Sequence, residues 1–428
     1  MKTRLVVGAA LLALAAAPGC TVNPVTGKSQ LDLMGEAQEL ELGKSLYPGA
    51  IQQSLGPIAD EPLQREVDRV GQSVAVVSHR PQLEYRFTAV NDPSVNAFAL
   101  PGGKICITRG LLARLESEDG LAAVLGHEVG HVTARHAVQA YNRQMLMTGA
   151  ILAGGIYMEA RDVRNREVIG LGALLGAELV MAKYSRDQER ESDELGMDYA
   201  VKAGYSPHGM VETQGILLAL QKSQPNLVEK LFASHPMSAE RLETAERRVA
   251  AMPAETVARP VRVPAYRDAA RGVVAVRPAW DRASEAMAKL GDASKAADAE
   301  KGLAEAVRLA PGEGVLRTLH AIGLGAVKRS SEAAAEARQG AELAPDVFLA
   351  RVAAGELLLS TDAAAALQSS EAAEHLLPGS AKVSLLRGRA LESLGRRTEA
   401  AAAYREASTR DPNGEVGAEA ARRARGLG

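Results

Sequence analysis

At 428 residues the chain has room for two or three domains, and its formal net charge of −2 excludes binding of nucleic acid through an excess of basic charge. Cys20 and Cys106 are its only cysteines, which excludes a multi-disulfide scaffold and leaves stability to core packing. Aromatic residues make up 3% while Ala and Gly are abundant, a composition suited to closely packed helices.

The chain opens MKTRLVVGAALLALAAAPGC. Lys2 and Arg4 form a basic start and Leu5–Ala17 a short apolar run, too short for a membrane span and expected as an export signal over residues 1–19. Ala17-Pro18-Gly19-Cys20 resembles a lipoprotein cleavage box, although leucine is usual where Ala17 stands. Lipid on Cys20 is one expectation; plain cleavage near Ala17, with Cys20 incidental, is the other. Thr21 carries no inner-membrane retention signal, which favours the outer membrane.

Residues 30–80 read as helical, with Leu33, Ala37 and Leu40, then Leu42 and Leu46, then Leu63, Val67 and Val70 at helical spacing. Tyr85–Val90 alternates like a strand, and Asn91-Asp92-Pro93 is a turn. Asn96–Leu100 and Lys104–Thr108 read as two strands joined by Pro101-Gly102-Gly103. A strand edge left exposed there can take up an extended peptide.

Leu121–His136 contains His127, Glu128 and His131 in an H-E-x-x-H pattern. Ser117 offers an N-cap, Glu118 and Asp119 suit the positive helix end, and Leu121, Val124 and Leu125 make an apolar stripe. On that helix His127 and His131 stack on one face and can hold one zinc ion. Glu128 lies about 100° round the helix, where it can take a proton from water activated at the metal. On a continuous helix His136 points away from both histidines and is expected at the surface or in a second layer. Residues 144–158 and 168–182 are apolar and Gly-rich, too short to cross a bilayer core, and read as a buried helical hairpin or as a mobile lid.

Catalytic zinc usually has three protein ligands. The acidic stretch Tyr184–Gly196 offers the third. Glu189 is the leading candidate, and Asp193, four residues on, can accept a hydrogen bond from the far nitrogen of a ligand histidine. Spacing alone does not separate Glu189 from its acidic neighbours Asp187, Glu191, Asp193 and Glu194. Residues 251–279 hold Pro253, Pro260, Pro264 and Pro278 and read as an interdomain connection. Beyond it Pro311, Pro345, Pro378 and Pro412 recur at spacings of 34, 33 and 34 residues, the period of tetratricopeptide repeats. Four units are expected over 280–414, then a last helix over 415–428. Such arrays bind peptides or proteins in a concave groove.

HEVGH followed by S-R-x-x-E-x-x-x-D resembles the zinc metallopeptidase family that includes the HtpX and CAAX prenyl proteases, and within it the periplasmic BepA-like members. The likeness runs from about residue 20 to 250 and includes Asn23–Gly27, Asn96–Leu112 and Ser234–Arg241. Ser192, where Ala is usual, and Gly120, where an acid is common, depart from the pattern. The resemblance implies a gluzincin-type α+β metallopeptidase domain with a small β-sheet over 20–250; with the α-helical repeat solenoid read from the proline period over 280–428, the chain is expected to be mainly α. It implies one Zn2+ per chain, with Glu189 as third ligand beside His127 and His131. A zinc peptidase also needs a donor for the negative oxygen of its tetrahedral intermediate. His235 and Arg241 are the candidates, and His235 has a second possible role, filling the open metal position as a plug.

Two functions are expected. One is a zinc endopeptidase of the bacterial envelope that cleaves misfolded or stalled envelope proteins, with the repeats recruiting substrate or a partner protein. The other is a chaperone-like or scaffold protein of outer-membrane assembly whose proteolysis is secondary. Either would sit in the periplasm, held to the membrane by lipid on Cys20.

Overall fold

The computed structural model describes residues 19–143, 145–146, 184–236 and 239–427. The expected leader up to residue 18 and most of the Gly-rich segments 144–158 and 168–182 lie outside the described residues.

The chain starts with a hairpin, β1 (Gly19–Val22) antiparallel to β2 (Ser29–Asp32), so helix begins later than the apolar spacing implies. Asn23 closes its turn by accepting hydrogen bonds from the N–H groups of Val25 and Thr26, and Gly27 takes φ +66°. Helix α1 (Glu36–Gln53) follows, then α2 (Glu61–Ala75). Asp60 caps α2 by accepting from Leu63 N–H. Leu63, Val67, Val70 and Val74 recur on one face of α2 and are fully buried, each worth about 1.5–3 kcal/mol of burial.

That face packs against a three-stranded sheet in the order β3-β5-β4. Strands β3 (Arg86–Val90) and β5 (Lys104–Thr108) are parallel, and β4 (Ala97–Leu100) is antiparallel to β5. All five residues of β5 are buried, as its central position requires. Cys106 on β5 is a free, buried thiol, and burial pushes its ionisation up, away from reactivity. Strand β4 is left as an edge.

Beneath the sheet runs α3 (Glu118–Thr133), every residue of which is buried. Helices α4 (Arg186–Lys202), α5 (His208–Ser223), α6 (Pro225–Ser234) and α7 (Ala239–Ala250) wrap round it. Residues 251–279, expected as a connection, run as short helices instead. Their Tyr266, Ala270 and Val273 join the same core as α2 and α3, and the Tyr266 hydroxyl donates to Leu112 O at 2.6 Å.

The C-terminal part is a solenoid. It runs α8 (Arg277–Met287), α9 (Ala296–Leu309), α10 (Gly314–Ala326), α11 (Ser330–Leu343), α12 (Phe348–Leu358), α13 (Ala363–Leu376), α14 (Ala381–Ser393), α15 (Arg397–Arg410) and α16 (Glu415–Leu427). Each helix packs on the next. The periodic prolines, Pro311, Pro345, Pro378 and Pro412, each stand two residues past a helix end, where a missing N–H costs nothing. The solenoid rests on the first domain through Arg109, whose guanidinium lies 4.5 Å over the Trp280 ring and 3.0 Å from Glu313 Oε2.

Candidate metal centre

Two capped helices build the centre. Ser117 Oγ accepts from Gly120 N–H at the start of α3. Ser185 and Gln188 form a reciprocal capping box at the start of α4. The helices cross at Gly126 and Gly196, and a methyl group on Gly196 would lie 2.6 Å from His127 N. Glycine at this point lets the two backbones meet, which brings Glu189 of α4 under the histidines of α3. From the other side, α6 ends at Ser234, and His235, ahead of Pro236, leaves the helical region at φ −119° and ψ 88°.

His127, His131, Glu189 and His235 are all buried, and one ligand atom from each lies within 4.8 Å of the others. His127 Nε2 and His131 Nε2 are 3.0 Å apart. Glu189 Oε1 is 3.4 Å from His131 Nε2, and Glu189 Oε2 is 3.6 Å from His127 Nε2. His235 Nδ1 is 3.4 Å from His127 Nε2 and 2.9 Å from Glu189 Oε1. Tetrahedral zinc with metal–nitrogen bonds near 2.0–2.1 Å sets its ligand atoms about 3.3 Å apart. The donors, imidazole and carboxylate with no thiolate, suit that ion. Burial holds the His131 imidazole well below its usual value, so it is neutral and has one bare ring nitrogen to offer.

Asp193 Oδ1 lies 2.9 Å from His127 Nδ1, which fixes the proton there and leaves Nε2 bare. Arg241 grips Asp193 with two hydrogen bonds, Nε to Oδ2 and Nη2 to Oδ1, both 2.7 Å. Its Nη1 is 2.8 Å from Glu189 Oε2. The guanidinium expected as a donor to the reaction intermediate is thus engaged with two carboxylates of the centre. Glu128 is buried, its Oε2 accepts no hydrogen bond among the described residues, and burial raises its carboxyl above the usual range. Beside it opens a cavity of about 40 Å³ lined by Ala97 of β4, Val124, Met210, Leu217 and Leu231.

Two neighbours back the centre: Tyr184, to which the sequence assigns no role, and His136, which takes the second-layer place rather than the surface one. Tyr184 stacks on the His131 ring at a centroid distance of 3.9 Å, held by its N–H donating to Ser234 O. His136 is fully buried, with Nδ1 2.9 Å from His131 Nδ1. The expectation that it points away assumes an unbroken helix. Helix α3 ends at Thr133, and Arg135 takes a left-handed φ of +58°, which turns the chain back. Such a conformation costs a non-glycine residue about 1–3 kcal/mol. The buried Arg135 side chain offsets it by donating to Asp32, Glu39 and Met34 O at 2.5–2.9 Å.

Residues 61–249 match peptidase family M48, so the chain carries an M48 peptidase domain. Over 234 residues it is 26% identical to the beta-barrel assembly-enhancing protease of Yersinia pestis, covering 54% of this chain and 48% of that protein. It is 28% identical over 180 residues to the mitochondrial metalloendopeptidase OMA1 of Schizosaccharomyces pombe, covering 42% and 51%. The matched part thus spans about half the length of these relatives. Among solved structures, YrrB, a TPR protein with an unusual peptide-binding site, aligns with 48% of this chain and 97% of its own at 16% identity and a TM-score of 0.32. A likeness that slight carries no weight; the repeat architecture rests on the helix packing.

Proposed function

We propose, from the M48 domain of residues 61–249, that this protein is a zinc endopeptidase with His127, His131 and Glu189 as metal ligands and Glu128 as general base. The observation that carries the reading is the convergence of these buried donors on one point, with the bare Oε2 of Glu128 beside an apolar cavity. A zinc ion bound there would supply a Lewis acid that polarises water and the scissile carbonyl. Glu128, with that oxygen uncommitted, takes the proton of the attacking water and hands it to the departing amine. Asp193 and Arg241 keep His127 and Glu189 in place. Strand β4, an edge beside the cavity, offers main-chain hydrogen bonds to an extended substrate.

His235 fills the fourth corner of the donor set, where substrate would bind. This favours the plug over the donor: the resting enzyme is held closed until His235 withdraws.

The substrates are unfolded or misassembled envelope proteins, and the solenoid recruits them or a partner protein. The leader-like start and Cys20 support a lipid-anchored periplasmic location; no described helix is long and apolar enough to cross a membrane. The test is cleavage of an unfolded outer-membrane protein by the wild type and by Glu128→Gln. The variant should keep its fold and metal and lose at least ~10²-fold in rate, the scale of positioned general-base catalysis. Equal cleavage by both would remove Glu128 from the mechanism. Loss of cleavage with full function in the cell would favour the chaperone-like reading instead.

A further inference from the structure

Each ligand histidine must keep a proton on the nitrogen that faces away from the metal, and each needs an acceptor for it. His127 has Asp193. No carboxylate reaches His131 Nδ1 among the described contacts; the group at 2.9 Å is His136 Nδ1. A hydrogen bond between two imidazole nitrogens requires one protonated and one bare. Ligation through Nε2 leaves the His131 proton on Nδ1, so His131 donates and His136 accepts. A neutral His136 then carries its own proton on Nε2, which lies 3.1 Å from Glu191 Oε2. The second group near His136 Nδ1, Ser192 Oγ at 3.4 Å, is a hydroxyl that can also donate to it. The assignment of a bare Nδ1 thus rests on His131, and the hydroxyl is compatible with it.

We infer that His136 and Glu191 form a relay that positions His131, so that the metal centre is oriented through the line His131–His136–Glu191. The inference rests on His131 being a zinc ligand, as proposed for the site. The line runs outward: the His131 and His136 side chains are 1% and 0% exposed, and that of Glu191 is 30% exposed. Helix α4 thus supplies three carboxylates with three tasks. Glu189 faces the metal position, Asp193 fixes His127 directly, and Glu191 fixes His131 at one remove. The left-handed turn at Arg135 sets the spacing, since it returns His136 over the end of α3. His136 and Glu191 are positioning residues, and neither touches the metal position or substrate.

The test is zinc affinity of the full chain, measured by chelator competition, alongside the melting temperature of the metal-free protein. His136→Phe fills the space but strips His131 of its acceptor. It should weaken zinc binding about 10–100-fold, the usual cost of removing an outer partner of a ligand histidine. His136→Asn puts an amide oxygen close to the lost Nδ1 and should recover most of that loss, whereas a purely structural role gives no such rescue. Glu191→Gln at the surface end keeps an acceptor but removes the charge, and should weaken zinc binding less than His136→Phe. It carries the test alone if His136→Phe does not fold. Wild-type affinity in both His136→Phe and Glu191→Gln would overturn the inference while leaving the metal centre intact. A wild-type chain that binds no zinc would overturn both.

Discussion

His235 is the residue on which the two possible states of the centre turn. It is buried, its Nδ1 sits within 3.4 Å of His127 Nε2, and it belongs to the same donor set as the three proposed ligands. A plug and an intermediate-stabilising donor predict opposite signs for one substitution. If His235 closes the fourth position, His235→Ala raises basal cleavage and slightly weakens zinc retention. If it donates to the intermediate, the same change lowers kcat by about 10²–10³-fold. A steady-state assay on the variant reads the sign directly, and a resting enzyme closed by His235 predicts the rise. At this scale the sequence was most legible where a residue acts through its neighbours on one helix. Helical spacing alone puts His127 and His131 on one face, and the structure has their Nε2 atoms 3.0 Å apart. For His136 the sequence left surface and second layer open, because its contact with His131 depends on one left-handed residue, and nothing in the one-dimensional pattern marks Arg135 as that residue. The departure from the family pattern at Gly120 also makes sense only in space. Gly120 lacks the acid that is common there, and Glu212 reaches in from α5 to accept from Ser117 Oγ and Glu116 N–H at the same helix end.

The centre is a junction of α3, α4, α6 and α7, and Arg241 ties the last of these to it. Burial alone would raise the Asp193 carboxyl, but the charge of Arg241 and the hydrogen bonds from His127 and Arg241 outweigh it and hold the group below 3.8. A carboxylate lowered in the folded state stabilises the fold above its unfolded value, and that contribution is lost as pH falls through the folded one. Arg241→Met leaves Asp193 and Glu189 buried without their cation, at a cost of about 3–5 kcal/mol. In metal-free protein the gap in melting temperature between wild type and Arg241→Met should be widest near neutral pH and shrink as pH drops below 3.8. A gap that stays constant over that range would mean that Arg241 stabilises by packing rather than by charge. Elements were legible where period and caps agree: Ser117 begins its helix as its residue type suggests. Residues 30–32, at the start of the stretch expected as helical, were not: the Asn23–Gly27 turn folds them back onto β1 as strand, ahead of the apolar spacing that begins at Leu33.

Across the whole molecule, the proline period made the repeat array legible, because each Pro stands at the same place in its unit, two residues past a helix end. Residues 251–279 read as a loose connection because their prolines and scattered charges hide Tyr266, a single aromatic that draws the segment into the first core. The sole tryptophan, Trp280, then stacks under Arg109 at the junction with the solenoid, which ties the repeats to the first domain. At this scale the proposed anchor is also open to test. Cys20→Ser should move the protein from the membrane to the soluble periplasmic fraction. Unchanged membrane association would place the anchor elsewhere. The most direct measurement of the central claim is the metal content of purified wild-type protein beside that of His131→Ala. A His127–His131–Glu189 site predicts one zinc per wild-type chain and almost none in the variant. A full equivalent of zinc retained by His131→Ala would contradict it.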